Sequence, residues 1–261
     1  VISEVSLTLL LFLVLAGFTA GWVDAVVGGG GLVQLPALLI GFPGATPVQI
    51  LATNKLGSIC GTTTSAVTYY RRVRPDLRTA LPLAAAALAG SACGALVASR
   101  IPGEAFDPII LVVLVAVGAY TLLKPDLGSI SALRFSGRSH VAVAGVVGFS
   151  LGAYDGVLGP GTGSFLVFAL VGLLGYGFLQ ASAKAKIANF ATNLGALLVF
   201  VPQGVVMWQI GLLMGVCNVA GGYLGARTAV AKGSAFVRVV FVTVVGAFIL
   251  KIGYDTLAPL L

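Results

Sequence analysis

The chain has 261 residues, 58% of them hydrophobic and 9% charged, with a formal net charge of +7 and a mean hydropathy of +1.07. A soluble domain carries roughly 25% charged residues, so this composition excludes a soluble globular protein. The basic excess sits in short segments between apolar runs, which excludes a nucleic-acid-binding face and points to loops that set membrane orientation.

Runs of about 18 or more apolar residues recur along the chain and read as transmembrane helices. They lack the period-2 alternation of a barrel strand and are too long for one. The first run, 5–27, has only Glu4 before it, so it lacks the basic region of a signal peptide and reads as structure. The chain opens on Val1 rather than Met, so a few native residues are expected to precede it. Further apolar segments follow at 32–42, 46–69, 77–99 and 105–123. A polar connector with Lys124, Pro125, Asp126, Arg134 and Arg138 comes next, and His140 at its edge reads as solvated. Five more segments occupy 140–158, 163–175, 177–201, 206–230 and 235–257. The expected organisation is a first transmembrane repeat at 1–123, a cytoplasmic connector at 124–139 and a second repeat at 140–261.

One motif occurs twice, 131 residues apart. Gly17, Phe18, Gly21, Asp24, Val26, Gly28 and Gly30 meet Gly148, Phe149, Gly152, Asp155, Val157, Gly159 and Gly161. The same offset carries Lys55 to Lys186, Ser58 to Asn189, Thr62 to Asn193, Gly90 to Gly221 and Gly94 to Gly225. Matched Asp and Lys in an ungapped register mark a duplication. Arg71, Arg72, Arg74 and Arg78 follow the third segment, whereas its counterpart near 202–209 is uncharged. Conversely, 100–108 carries Glu104 and Asp107 where the second half carries Arg227, Lys232 and Arg238. By the positive-inside rule equivalent loops face opposite sides, which predicts inverted repeats with both termini outside. Each half must then cross an odd number of times. Either the first two segments form a broken or re-entrant pair followed by three spans, or all five cross. The second segment of each half is short for a crossing, which favours the pair.

The glycine runs release backbone N–H groups at membrane depth, where irregular backbone survives only inside protein or beside a watery cavity. A short helix starts after each run, and its N-terminus favours an anion. Candidate substrate-binding residues are therefore Gly28, Gly29, Gly30, Gly31, Gly159, Gly161, Thr162, Gly163 and Ser164. Lys55, Ser58 and Thr62 share one helix face, as do Lys186, Asn189 and Asn193, and each set could clamp an oxyanion. The competing readings are a lysine snorkelling to the headgroups or a structural pair of each lysine with Asp24 or Asp155. Asn54 joins the candidates without a polar counterpart, since Ala185 stands at its repeat position. Lys184 aligns with Thr53 and reads as snorkelling to the headgroups. Asp24 and Asp155 are expected to be buried, as proton carriers for coupled transport, as counter-charges to the lysines, or as caps at the breaks. Cys60, Cys93 and Cys217 read as small apolar helix residues. No Ser/His/Asp, zinc or nucleotide-binding arrangement appears, so neither an enzyme nor a cofactor nor a metal is expected.

Two stretches carry a family resemblance. They are A-G-W-V-D-A-V-V-G-G-G-G-L-V-Q-L-P-A-L-L at Ala20–Leu39 with A-T-N-K-L at Ala52–Leu56, and Y-D-G-V-L-G-P-G-T-G-S-F at Tyr154–Phe165 with A-K-I-A-N-F-A-T-N-L-G at Ala185–Gly195. Together they resemble the TauE/SafE sulfite exporter family. The resemblance implies a multi-pass transporter of the bacterial inner membrane whose partner is a small sulfur-containing oxyanion, sulfite or an organosulfonate. Lipid surrounds it, nucleic acid is not a partner, and homo-oligomerisation is left open. With the two repeats this predicts alternating access around a midplane site, in the export direction. An anion channel and a membrane sulfur-relay component using Cys60 are the alternatives.

Overall fold

In a computed structural model of the chain the described residues, 6–98 and 131–257, form eight α-helices and no strand. They are α1 (Leu7–Val27), α2 (Gly31–Gly41), α3 (Pro47–Val73), α4 (Leu77–Ala98), α5 (Gly137–Val157), α6 (Thr162–Gly172), α7 (Phe178–Phe200) and α8 (Trp208–Leu257). The expected segment at 105–123 and the start of the connector lie outside the described residues. Helix α8 joins the two segments expected at 206–230 and 235–257. They meet at Gly233, whose φ of 74° is not helical.

Local sequence sets the boundaries. Ser6 caps α1 by accepting from the Leu9 amide. Thr46 and Gln49 exchange side-chain and backbone bonds in a capping box ahead of Pro47, which opens α3. Helix α1 ends at Gly28, which takes a φ of 85° that a residue with a β-carbon would resist.

Among the described residues four helices are long and apolar enough to cross a membrane: α1, α4, α5 and α8 as far as Val244. Helices α2 and α6 have 11 residues each, so at about 1.5 Å per residue they cover roughly half of a 30 Å hydrocarbon core. Helices α3 and α7 have the length, at 27 and 23 residues, but carry lysine, asparagine and threonine. Those polar residues are tolerated because they are buried by protein: Asn54, Lys55, Lys186 and Asn193 are each no more than 2% exposed.

Glycine seams join the helices. A β-carbon at Gly90 or Gly94 of α4 would strike the carbonyls of Phe149 or Ala153 in α5, and one at Gly148 or Gly152 would strike those of Leu83 or Ala87. The α1–α8 seam repeats this with every number shifted by 131. Gly221 and Gly225 meet the carbonyls of Phe18 and Trp22, and Gly17 and Gly21 meet those of Met214 and Asn218. Small residues let the backbones approach this closely without a driving force from water. In both seams the contacts climb the two helices together, so each pair runs parallel. Helix α3 also runs parallel to α8, with Leu56 at Gly211, Cys60 at Gly215 and Ser65 bonded to the Gly222 carbonyl.

Each short helix folds back along its predecessor. A β-carbon at Gly41 would lie 3.0 Å from Leu9 near the start of α1. Beyond α6, the Tyr176 hydroxyl lies 2.8 Å from His140 Nε2 near the start of α5. This corrects the reading of His140 as a solvated connector residue. Helix α5 begins at Gly137, and His140 is only 6% exposed because Tyr176 and Thr79 cover it through a hydrogen-bonded chain.

Candidate functional site

The two glycine breaks meet. The Gly28 carbonyl accepts from the Ser164 amide at 3.1 Å, and the Val27 carbonyl accepts from the Ser164 hydroxyl at 2.9 Å. Gly28 and Gly163 touch so closely that a β-carbon on either would collide with the other's backbone. A β-carbon on Gly31 would stand 3.6 Å from both the Gly159 carbonyl oxygen and the Pro160 α-carbon. Tyr154 secures the second break by donating to the Pro160 carbonyl at 2.7 Å.

Both lysines reach this junction, and each is paired with the aspartate of the other half. Lys55 pairs with Asp155, and Lys186 with Asp24 at 2.9 Å. Asn189 adds a second donor to Asp24 at 3.4 Å. A buried charge in a low dielectric is costly unless compensated, and the crossed pairs cancel all four charges. Of the roles open to the aspartates, counter-charge is the one this arrangement displays, and both are buried as expected. Gly159 lies beside Lys55, with Nζ 3.4 Å from its β-position, and Gly30 packs against the Asp24 side chain.

Other candidates turn elsewhere. The Thr62 hydroxyl donates to the Ser58 and Ile59 carbonyls of its own helix, and the Asn193 amide donates to the Asn189 carbonyl. Thr162 bonds the Gly159 carbonyl, which makes it a local brace of the break. Gly161 faces the Phe165 ring and Leu32, Gly29 is buried, and Ser58 is half-buried. Cys60 donates to the Leu56 carbonyl and packs on Gly215 in the α3–α8 seam.

Lys184 does not reach the headgroups, which corrects the snorkelling reading. It is fully buried, with Nζ on the Asp76 carbonyl at 2.8 Å and 4.8 Å from the Tyr176 ring centre. Its repeat equivalent Thr53 accepts from the Met207 amide, and Met207 is the equivalent of Asp76. The lysine therefore fills a helix-to-helix tie that a hydroxyl fills in the other half.

Sequence reasoning missed an amide pair next to the site. Gln34 of α2 is fully buried, donates to the Asn54 carbonyl at 3.2 Å and accepts from Asn218 of α8 at 2.7 Å. Isolated amides inside apolar helices were the available signal. Their repeat positions, Phe165 and Ala87, gave no second occurrence. Among the described residues no group of three or more His, Cys, Asp or Glu could hold a metal ion.

Comparisons with known proteins find relatives along nearly the whole chain. The profile of the family "Sulfite exporter TauE/SafE" matches residues 13–252. The "Probable membrane transporter protein ORF9" of a Sinorhizobium species is 39% identical over 99% of this chain and 97% of its own length. A "Probable membrane transporter protein" of Haemophilus influenzae is 34% identical over 97% of each chain. The "Probable membrane transporter protein YfcA" of Escherichia coli K12 is 34% identical over 97% of this chain and 92% of its own. No solved structure matches the chain at a significant level.

Proposed function

This chain belongs to the sulfite exporter TauE/SafE family of membrane transporters, and we propose that it is a secondary transporter exporting a small sulfur oxyanion, sulfite or an organosulfonate, across the bacterial inner membrane. The observation that carries this reading is the crossed pair of lysine–aspartate bridges where the two glycine breaks touch. Two cations and two glycine breaks converge there, and each cation ties one half to the other.

Inverted repeats, 1–123 and 140–261 around the connector 124–139, fit the packing. Helices α1 and α3 run parallel to α8, while α5 runs parallel to α4, which the three residues 74–76 turn back from α3. Helix α5 thus points opposite to its equivalent α1. With Arg71, Arg72, Arg74 and Arg78 in the cytoplasm, both termini are periplasmic. Each returning short helix then makes a re-entrant hairpin with the helix before it, and the junction falls near the midplane. In alternating access one hairpin rocks against the other.

The charge count constrains the cycle. A monoanion such as hydrogen sulfite or a sulfonate that displaces a carboxylate from its lysine leaves one uncompensated negative charge, and a proton on that carboxylate would restore neutrality. Asp24 and Asp155 are the groups that take it. Without that proton the anion leaves down the inside-negative potential, which favours exit by about 2.3 kcal/mol per charge per 100 mV.

The test is flux in proteoliposomes with sulfite, thiosulfate, sulfate, sulfoacetate, taurine and phosphate. Saturable, counter-flow-stimulated flux of one of them, lost in Lys55→Ala and Lys186→Ala, is expected. Non-saturating flux would make the protein a channel. Flux that survives both substitutions but fails in Cys60→Ala would move the chemistry to the thiol.

A further inference from the structure

Asn54 is 2% exposed, and its side-chain carbonyl oxygen has no hydrogen-bond partner. Its side-chain nitrogen lies 3.9 Å from the β-position of Gly31, the same point that stands 3.6 Å from the Gly159 carbonyl oxygen. The amide therefore lies beside the facing breaks, one residue from Lys55.

The neighbouring amides explain why Asn54 is left over. The Asn218 nitrogen donates both to Gln34 Oε1 at 2.7 Å and to the Met214 carbonyl at 3.1 Å, which fixes its orientation. Gln34 must then accept with its oxygen and donate with its nitrogen, and that nitrogen goes to the Asn54 backbone carbonyl. Gln34 holds the Asn54 backbone carbonyl, with Asn218 fixing Gln34 behind it, while the Asn54 side-chain oxygen serves no fold bond. Leaving a buried polar group unpaired costs about 1–3 kcal/mol, so the exception calls for an explanation in function.

The chemistry of the orphan narrows the ligand. An amide offers a donor and an acceptor. A fully deprotonated oxyanion can take bonds from the Lys55 ammonium and the Asn54 nitrogen, but it gives nothing to the Asn54 oxygen. We infer that Asn54 selects an oxyanion carrying its own hydrogen-bond donor, either the hydroxyl of a protonated oxyanion such as hydrogen sulfite or a hydroxyl or amine arm on a sulfonate. The inference rests on the transporter reading and deepens it. Ala185 at the repeat position supplies no amide, so a site with paired lysines still reads the donor from one side and fixes one orientation of the ligand.

The test measures dissociation constants of the purified full chain for ethanesulfonate and 2-hydroxyethanesulfonate, and for sulfite on both sides of its second ionisation. The wild type is expected to prefer a donor-bearing ligand by about tenfold, the worth of one hydrogen bond to a buried partner. Asn54→Leu should abolish that preference, with 2-hydroxyethanesulfonate losing about tenfold more affinity than ethanesulfonate. Preference for hydroxyethanesulfonate places the donor on an arm; preference confined to protonated sulfite places it on the oxyanion. Equal wild-type binding of all forms overturns the inference without any variant, as does a preference that survives Asn54→Leu. In both cases oxyanion binding itself stands. If neither sulfonates nor sulfite bind the wild type, the sulfur-oxyanion reading of the site falls with it.

Discussion

Two ion pairs of identical chemistry stand in unequal surroundings. Lys55 and Asp155 have side-chain exposures of 1% and 3%, with Leu51 and Lys55 both packed onto Gly159. Lys186 is fully buried too, but Asp24 keeps 12% of its side chain exposed and gains Asn189 as a second donor. Ser58 stands where Asn189 would be, with a shorter arm. The sealed pair behaves as a lock, whose charges have no substitute for one another. The looser pair has a spare donor and a partly exposed carboxylate, so that carboxylate depends less on its lysine. A duplicated site thus gives its two ion pairs unequal surroundings through a single Asn/Ser difference and the packing around it.

The largest test of this contrast removes one cation at a time. Lys55→Ala leaves Asp155 buried and uncompensated, which costs about 3–5 kcal/mol. Lys186→Ala should cost less, because Asn189 still donates to Asp24, whose side chain is less deeply buried. Thermal denaturation in detergent measures both, and equal losses would break the contrast. Lys55→Ala with Asp155→Ala should recover much of the stability and none of the transport.

The breaks give the next test. Gly28 and Gly159 both have left-handed backbones, with φ of 85° and 87°, so alanine at either costs about 1–2 kcal/mol. Only at Gly28 does the new β-carbon also run into backbone, that of Gly163 and Ser164. At Gly159 it meets a Leu51 methyl at 3.2 Å and the end of Lys55 at 3.4 Å, both able to move. Gly28→Ala is expected to give little folded protein by size-exclusion chromatography. Gly159→Ala should fold and transport slowly.

The smallest effect lies at the α4 N-terminus, where the halves differ by Asp76 against Met207. Partial burial pushes the Asp76 carboxyl up, but the Thr79 hydroxyl at 2.9 Å and the Arg78 amide at 3.0 Å outweigh it and hold the group below the usual range. A lowered folded-state value means the cap contributes above the ordinary carboxylate pKa and is lost as pH falls through the lowered one. Melting temperature measured from neutral to strongly acidic pH should therefore fall less in Asp76→Asn than in the wild type. Parallel curves would remove this cap from the difference between the halves.

Much of the architecture was legible because it is stated twice. The offset of 131 residues located Lys55, Lys186, Asp24 and Asp155, and the paired short segments located α2 and α6. Which aspartate meets which lysine was not legible, because that depends on how the halves interleave. Gln34 and Asn218 escaped for the opposite reason, since each occurs in one half only. His140 was misplaced because its neighbours in sequence are polar, while the groups that bury it, Tyr176 and Thr79, come from 36 residues ahead and from α4. Thr62 and Asn193 share a face with the lysines, yet a helix interior offers each a carbonyl one turn back, and that local bond prevails.

The crossing of the pairs also bears on how the protein is made. Asp24 and Lys186 are separated by 162 residues. At about 5–20 residues per second of synthesis, the aspartate emerges on the order of ten seconds before its lysine. During that interval the first hairpin carries an unmatched acid, which costs roughly 2.5–3.5 kcal/mol at the centre of a helix in the bilayer. That cost persists until α7 brings Lys186 to Asp24. The bond that closes the finished site therefore also relieves a cost that the first hairpin carries until the second half is made.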